Sequence, residues 1–385
     1  MTSAKNIILI FLFIIFTLVA LAIRDNEILR FVLEGKLVRF SDAWRQSQFC
    51  NSFPECMRIS AGWFTMSIQT ALIELSRLID MPADRHQPNL LSVAGKESFL
   101  FILGEIMARF LFLSPILLCV FTLYQSFLLR ALMMVSIFMT ICGWARSNPL
   151  FTEQFFAYYD FASIGFILLL FFLISKEKTR GFLAAAATLV FGQLIFENLG
   201  IVTGVAIAFF TFAASDHSIS LRIKKAVRRL FELALVSIGT VIALYTLILS
   251  VNGGVSDGAG VLSEYFSDAW ATYGRINFQE FHDIRENFFE MIAYPSASGI
   301  LLGLIAIPNI LSSATALKHI KIQFWAAFGI WLGLFCTVII GMFVSGLYYE
   351  MGRQLIPLCI ATTLIWATGI PILANIIHIK KGSSS

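Results

Sequence analysis

Residues 323–347 read QFWAAFGIWLGLFCTVIIGMFVSGL, and no charged side chain interrupts them. A helix of about 20 mostly apolar residues spans the hydrocarbon core of a bilayer, so this stretch predicts a transmembrane helix. A transmembrane β-strand would alternate apolar and polar side chains, and this stretch does not. It therefore predicts a helical membrane protein.

The composition extends this prediction to the whole chain of 385 residues. Hydrophobic residues make up 58% and charged residues only 14%, and the mean hydropathy is +0.81. Soluble chains carry roughly 25% charged residues, and one water-soluble core of this length cannot hide so much apolar surface. These values exclude a soluble, disordered, collagen-like or coiled-coil protein. The net charge of +4 is too small to indicate nucleic-acid binding.

We predict an all-α, polytopic transmembrane bundle of about ten spans that forms a single domain over residues 1–385. The first span is followed by no small-residue cleavage site, so we interpret it as an anchor and not as a signal peptide. The predicted spans are 6–23, 98–121, 127–145, 158–175, 181–197, 200–214, 231–250, 298–315, 323–347 and 354–378.

Basic residues orient the bundle, because cytoplasmic loops carry an excess of Lys and Arg. With both termini in the cytoplasm, the predicted outer segments beyond the first loop hold few basic residues: Arg146, Arg275, Arg285 and Arg353. The inner segments hold many more: Lys5, Arg130, Lys176, Lys178, Arg180, Arg222, Lys224, Lys225, Arg228, Arg229, Lys318, Lys321, Lys380 and Lys381. Arg222, Lys225 and Arg229 share one helical face, which indicates a topology signal or contact with anionic lipid head groups.

Two long outer loops are predicted, at 24–97 and 251–297. The first contains amphipathic stretches at 28–38 and 63–78, which we expect to lie as helices in the membrane interface. Cys50 and Cys56 are six positions apart in this loop, and in an oxidising compartment they are candidates for a disulfide.

Acids and arginines stand at the outer ends of several predicted spans, where bundling would gather them into one pocket. Arginine grips a phosphate through two parallel bonds, and a carboxylate can take a proton from an acceptor hydroxyl. The pattern favours sugar transfer from a lipid-linked phosphate, although each residue alone also fits an ordinary interfacial position. These residues are Asp25, Glu27, Arg146, Glu153, Asp160, Glu197, Asn198, Glu350 and Arg353.

Glu105 and Arg109 are four positions apart on the second predicted span. An ion pair at this spacing is the least costly way to keep either group in a membrane helix. The pair fits either a structural clamp or the wall of a polar substrate cavity.

The layout of one span, a long outer loop and a multi-span bundle resembles the GT-C superfamily of membrane glycosyltransferases, in particular bacterial O-antigen glucosyltransferases. Four local phrases carry the resemblance: Arg24-Asp25-Asn26-Glu27, Asp42-Ala43-Trp44-Arg45, Phe196-Glu197-Asn198 and Gly352-Arg353-Gln354-Leu355-Ile356-Pro357. The resemblance implies a polyprenyl-phosphate-linked sugar donor, a glycan or lipid acceptor, no obligatory cofactor, and a bacterial inner membrane with periplasmic long loops. No diagnostic metal-ligand spacing is present, so a divalent ion is left open.

The resemblance also implies roles for individual residues. Many relatives carry adjacent acids in the first loop, whereas here Asn26 separates Asp25 from Glu27, so the base is open among Asp25, Glu27 and Asp42, with Asp25 first. The implied ligands of the donor phosphate are Arg353, Arg146 and Arg45. The implied ligands of the sugar are Asp160, Glu197, Asn198 and Glu350.

Three other functions fit parts of the sequence. An O-antigen polymerase or ligase would use the loop 251–297, which contains Arg275, His282 and Arg285. A flippase or transporter of a lipid-linked saccharide would be expected to show related halves, and the loop spacing does not repeat. A scaffold without enzymatic activity would present its outer charges in different directions.

Overall fold

The computed structural model describes residues 2–24, 106–142, 158–214, 218–251, 278–343 and 348–382. Every regular element within these ranges is a helix, which confirms the all-α prediction. A helical segment at 106–113 leads into the second of the numbered helices. The helices are α1 (Thr2–Arg24), α2 (Pro115–Leu123), α3 (Phe127–Cys142), α4 (Tyr158–Ser175), α5 (Phe182–Ile195), α6 (Glu197–Ala213), α7 (Ile219–Val251), α8 (Phe278–Leu311), α9 (Ala314–Phe343) and α10 (Tyr348–Gly382).

Several of these helices are long and apolar enough to cross a membrane. Five stretches qualify within the described ranges: Ala4–Ala22, Ile106–Leu123, Ile292–Leu311, Thr315–Ile339 and Leu355–His378. Four shorter apolar helices are Phe127–Cys142, Phe161–Ser175, Phe182–Ile195 and Asn198–Ala213. The protein is therefore a helical membrane protein by length and composition, and the count of ten spans stays a prediction.

Two helices continue past the predicted span boundaries. Residues 219–230, predicted as part of an inner segment, are helical and continuous with the predicted span 231–250, because α7 runs over 33 residues. Residues 278–297, predicted as part of the second outer loop, form the first half of α8. A membrane boundary ends an apolar run but not backbone hydrogen bonding, and Lys, Arg and Glu are good helix formers, so these helices continue past it.

Glycines let α6 and α9 pack closely in antiparallel directions. A Cβ at Gly333 would lie 2.9 Å from the Cα of Val202, and one at Gly329 would lie 3.0 Å from the carbonyl oxygen of Ala206. Small residues four apart allow two membrane helices to bring their backbones together. The residue numbers of the contacting positions increase along α6 as they decrease along α9, so the C-terminus of α6 lies beside the N-terminus of α9.

A second glycine pair joins α8 and α10 in parallel. A Cβ at Gly299 would lie 2.6 Å from the carbonyl oxygen of Thr363, and one at Gly303 would lie 2.9 Å from that of Trp366. The hydroxyl of Thr363 donates to the carbonyl oxygen of Pro295 at 3.2 Å. The residue numbers of the contacting positions increase in the same direction along both helices, so α8 and α10 begin at the same end.

The remaining contacts define two ends of the bundle. The amide of Gln323 near the start of α9 donates to the carbonyl of Thr122, so the start of α9 and the end of α2 lie at the same end of the bundle. Helix α4 runs in the direction of the segment that leads into α2, because Phe112 lies beside Gly165 and Arg109 beside Phe161, and α4 is buried on nearly all sides. We call the end with the turns 124–126, 176–181 and 312–313 the basic end. The opposite end holds the N-termini of α4, α6, α8 and α10.

Candidate functional site

The structure describes only part of the predicted pocket. The first-loop residues and Arg146 lie outside the described residues, and so do the candidate disulfide and Glu105. The residues outside are Asp25, Glu27, Asp42, Arg45, Cys50, Cys56, Glu105, Arg146 and Glu153. The backbone is described at Asp160, Glu197, Asn198, Glu350 and Arg353.

These five backbone positions all fall at the opposite end. Asp160 is in the first turn of α4, Glu197 and Asn198 begin α6, and Glu350 and Arg353 are in the first two turns of α10. Parallel helices bring their N-termini to one level, which accounts for the common end. The structure does not describe the side chains of Asp160, Glu197, Glu350 and Arg353, so their convergence on one groove stays a prediction.

The connection between α5 and α6 is shorter than the sequence indicates. We predict Glu197 and Asn198 between two spans, but α5 ends at Ile195 and α6 begins at Glu197. Phe196 alone reverses the chain with an extended backbone, φ −158° and ψ 136°. Its ring is buried, so a bulky apolar side chain is the anchor of this turn. Glu197 and Asn198 thus lie on the first turn of a helix.

Arg109 is the one charged side chain of the predicted outer half whose surroundings are described. Only 4% of this residue is exposed. Its guanidinium carbon lies 5.8 Å from the centroid of the Phe161 ring, directly after Asp160 on α4. The sequence singled Arg109 out as a partner of Glu105, in either a structural clamp or the wall of a polar substrate cavity. The signal was present, because an ionisable residue inside an apolar span is a functional candidate by default.

A close backbone contact positions the segment that carries Arg109. A Cβ at Gly165 on α4 would overlap the carbonyl oxygen of Phe112, so only glycine permits this approach. The segment ends at Ser114, because Pro115 has no N–H to give to the carbonyl of Leu111. Ser114 supplies the missing donors: its hydroxyl lies 2.7 Å and its N–H 3.2 Å from the Leu111 oxygen.

Polar side chains at the basic end have structural partners. Pro371 has no N–H, so it leaves the carbonyl of Ala367 without its helical donor. The hydroxyl of Tyr124 donates to that oxygen at 3.3 Å. The amide of Gln323 donates to the carbonyl of Thr122 at 2.8 Å, near the C-terminus of α2, where helix carbonyls need partners. The sequence gives no signal for these two hydrogen bonds, because their partners are far apart along the chain.

The opposite end combines groups suited to an anion. Helix N-termini carry a partial positive charge and unpaired N–H groups, and those of α4, α6 and α10 lie there with Arg109 in the bundle beneath them. No side chain caps the N-terminus of α6. Within the described ranges, no group of three or more His, Cys, Asp or Glu residues is placed to hold a metal ion.

Comparisons with protein-family models, with curated protein sequences and with solved structures give no match to this chain.

Proposed function

We propose that this protein is an integral membrane glycosyltransferase. It transfers a sugar from a polyprenyl-phosphate-linked donor to a glycan or lipid acceptor on the outer side of a bacterial inner membrane. The proposal includes ten spans, both termini in the cytoplasm, and a pocket at the opposite end of the bundle that opens toward lipid.

The observation that carries the proposal is the burial of Arg109. A guanidinium has five N–H donors, so the buried Arg109 can bind an anion in addition to its contacts within the bundle. A phosphate fits a guanidinium with two parallel hydrogen bonds, and the same bonds in a water-poor site are stronger than at the surface. Arg109 thus supports a site for the phosphate of a lipid carrier, whose isoprenoid chain keeps it at this depth.

The neighbourhood of Arg109 supports the same chemistry. Phe161 contacts its guanidinium, and Asp160 precedes Phe161 at the start of α4. A carboxylate at that position would bind sugar hydroxyls, while Arg353 at the start of α10 adds a second positive charge for the phosphate. The helix N-termini at this end favour the negative charge that develops on the departing phosphate.

The reaction is an inverting displacement. The acceptor hydroxyl oxygen attacks the anomeric carbon and forms the new glycosidic bond, while the bond from that carbon to the phosphate oxygen breaks. The electron pair leaves with polyprenyl phosphate, and the hydroxyl proton passes to a carboxylate, for which Asp25 is our first candidate. Atoms and charge balance without a redox partner.

A transfer assay tests the proposal. The full-length protein is reconstituted in vesicles with a panel of polyprenyl-phosphate hexoses labelled in the sugar, together with membrane lipid and glycan acceptors. We expect label to move from the donor to an acceptor. If label crosses the bilayer while still attached to the carrier, the protein is a flippase and the proposal is wrong.

Replacement of the base separates catalysis from folding. Asp25→Asn should lower the transfer rate by about 10²–10⁴-fold, the usual contribution of a general base, while membrane insertion is unchanged. Glu27→Gln and Asp42→Asn test the two other candidate bases in the same predicted loop, and transfer should persist in both if Asp25 is the base. Wild-type activity in Asp25→Asn would exclude Asp25 as the base.

A further inference from the structure

We propose that the basic end carries a binding surface for an anionic phospholipid. The surface consists of the turn 176–181 between α4 and α5 and the first half of α7, residues 219–232. We call it the basic surface. It lies at the end of the bundle remote from Arg109, so it is independent of the proposed catalytic site.

A hydrogen bond joins the two parts of the basic surface, which are 49 positions apart in the chain. Nη2 of Arg229 donates to the carbonyl oxygen of Arg180 at 2.8 Å. The side chain of Arg229 is only 17% exposed, so this arginine holds the turn against α7. Arg229 shares one helical face with Arg222 and Lys225, and it is the member of that face that contacts the turn.

The turn has a defined shape that points its basic residues outward. The N–H of Lys178 bonds the carbonyl of Leu173, and that of Glu177 bonds Ile174, each at 2.8 Å. Glu177 adopts φ 56°, the left-handed conformation that closes a helix in this way. Lys176, Lys178 and Arg180 are all exposed around it.

The basic surface has a large excess of positive charge. Its acids are already paired: Glu177 with Arg180 at 2.7 Å, and Glu232 with Arg228 at 2.8 Å and with Arg229 at 3.4 Å. The surrounding lysines are exposed and outnumber these acids: Lys176, Lys178, Lys224 and Lys225. An anion that approaches this surface therefore meets net positive charge.

An exposed apolar row runs along α7 beside those charges. Ile223, Val227, Phe231 and Leu235 recur every four residues, and each is between 50% and 64% exposed. Lys224 and Arg228, which each follow a member of this row, project alongside it. An acyl chain fits along the row while a phosphate lies against the two cations, the arrangement of an amphipathic helix in the membrane interface.

The length of α7 places the charges at head-group level. Its 33 residues span about 50 Å, against a hydrocarbon core of about 30 Å. The charged residues end at Glu232, and the uncharged remainder of the helix is long enough to cross most of the core. The occupant is therefore a phospholipid of the adjoining leaflet, because a nucleic acid or free phosphate would leave the apolar row unused.

Native mass spectrometry of the full-length protein, extracted from nanodiscs, tests the proposal. The nanodiscs contain phosphatidylcholine alone or equal parts of phosphatidylcholine and phosphatidylglycerol. We expect selective retention of phosphatidylglycerol, and the double variant Lys224→Gln/Arg228→Gln should weaken it by on the order of tenfold. Glu232→Gln should strengthen it, because the variant releases two arginines from their ion pairs.

The matched control is Lys318→Gln/Lys321→Gln, which removes the same charge from exposed positions at the start of α9, also at the basic end. This control should retain phosphatidylglycerol like the wild type. Equal losses in the two double variants would show that total charge and not the basic surface decides binding. That result would overturn the proposal, as would equal retention of both lipids by the wild type or weaker retention by Glu232→Gln.

Discussion

Two arginines, one near each end of the bundle, differ in what surrounds them. Arg130 lies 4.6 Å from the centroid of the Phe121 ring, and its Nε donates to the carbonyl oxygen of Tyr124 at 2.6 Å. Arg109 lies 5.8 Å from the Phe161 centroid and is 4% exposed. Both sit beside an aromatic ring, but Arg130 is half-buried at a turn, whereas Arg109 is enclosed by helices.

The difference shows that the role of an arginine depends on whether it lies at the end of the bundle or is enclosed by its helices. At the basic end an arginine can reach water and head groups, and it stabilises the carbonyls where α2 ends. These contacts account for Arg130 at its turn. A buried arginine among apolar helices is a functional candidate by default.

The largest expected effect separates the two arginines by activity. Arg109→Gln should lower kcat/KM for the lipid-linked donor by about 10²–10³-fold, because the donor phosphate loses a hydrogen-bonding cation. Arg130→Gln should leave kcat/KM within about twofold and lower thermal stability instead, since it removes one bond of about 1 kcal/mol. Transfer assays and thermal unfolding in detergent measure the two quantities.

Arg109→Lys sharpens this test. Lysine keeps the charge but not the two parallel bonds, so we expect an intermediate kcat/KM with a raised KM for the donor. A structural clamp predicts another outcome: Arg109→Gln would lose stability, and the protein that stays folded would keep its specific activity. That outcome would remove Arg109 from the site.

The sequence predicts the helical class, because that class follows from long apolar runs. It does not predict where helices stop. Residues 323–343 of the predicted run belong to α9, which begins earlier at Ala314, and α7 continues through five basic residues. Hydropathy marks the edge of lipid, while a helix ends only where its hydrogen bonding ends.

The sequence also predicts one part of the candidate site and not another. The common end of Asp160, Glu197 and Arg353 follows from counting spans, which needs only local information. The contact of Arg109 with Phe161 joins helices far apart in the chain, and the approach of Phe112 to Gly165 depends on two backbones. Apolar patterns along one chain carry no signal for such pairs.

A smaller effect tests how Arg109 is positioned. Gly165→Ala would force the Phe112 carbonyl away from α4, at a cost of about 1–3 kcal/mol, and should lower transfer activity because the segment 106–113 moves. Gly239→Ala on α7 is the control, since nothing lies within 4 Å of its Cβ position. It should stabilise the protein by up to about 1 kcal/mol without changing activity. Full activity in Gly165→Ala would mean that Arg109 does not depend on this contact.

The smallest expected effect concerns the hydrogen bond of Tyr124 at the basic end. Tyr124→Phe removes the donor to the carbonyl of Ala367, so we expect a loss of about 1 kcal/mol in the free energy of unfolding and no change in transfer. Pro371→Ala returns an N–H that can reach the same oxygen. In that background Tyr124→Phe should have a smaller effect, because the oxygen keeps a partner. Thermal unfolding of the two single variants and the double variant gives the coupling between these residues. Equal losses in both backgrounds would mean that Tyr124 does not compensate for Pro371.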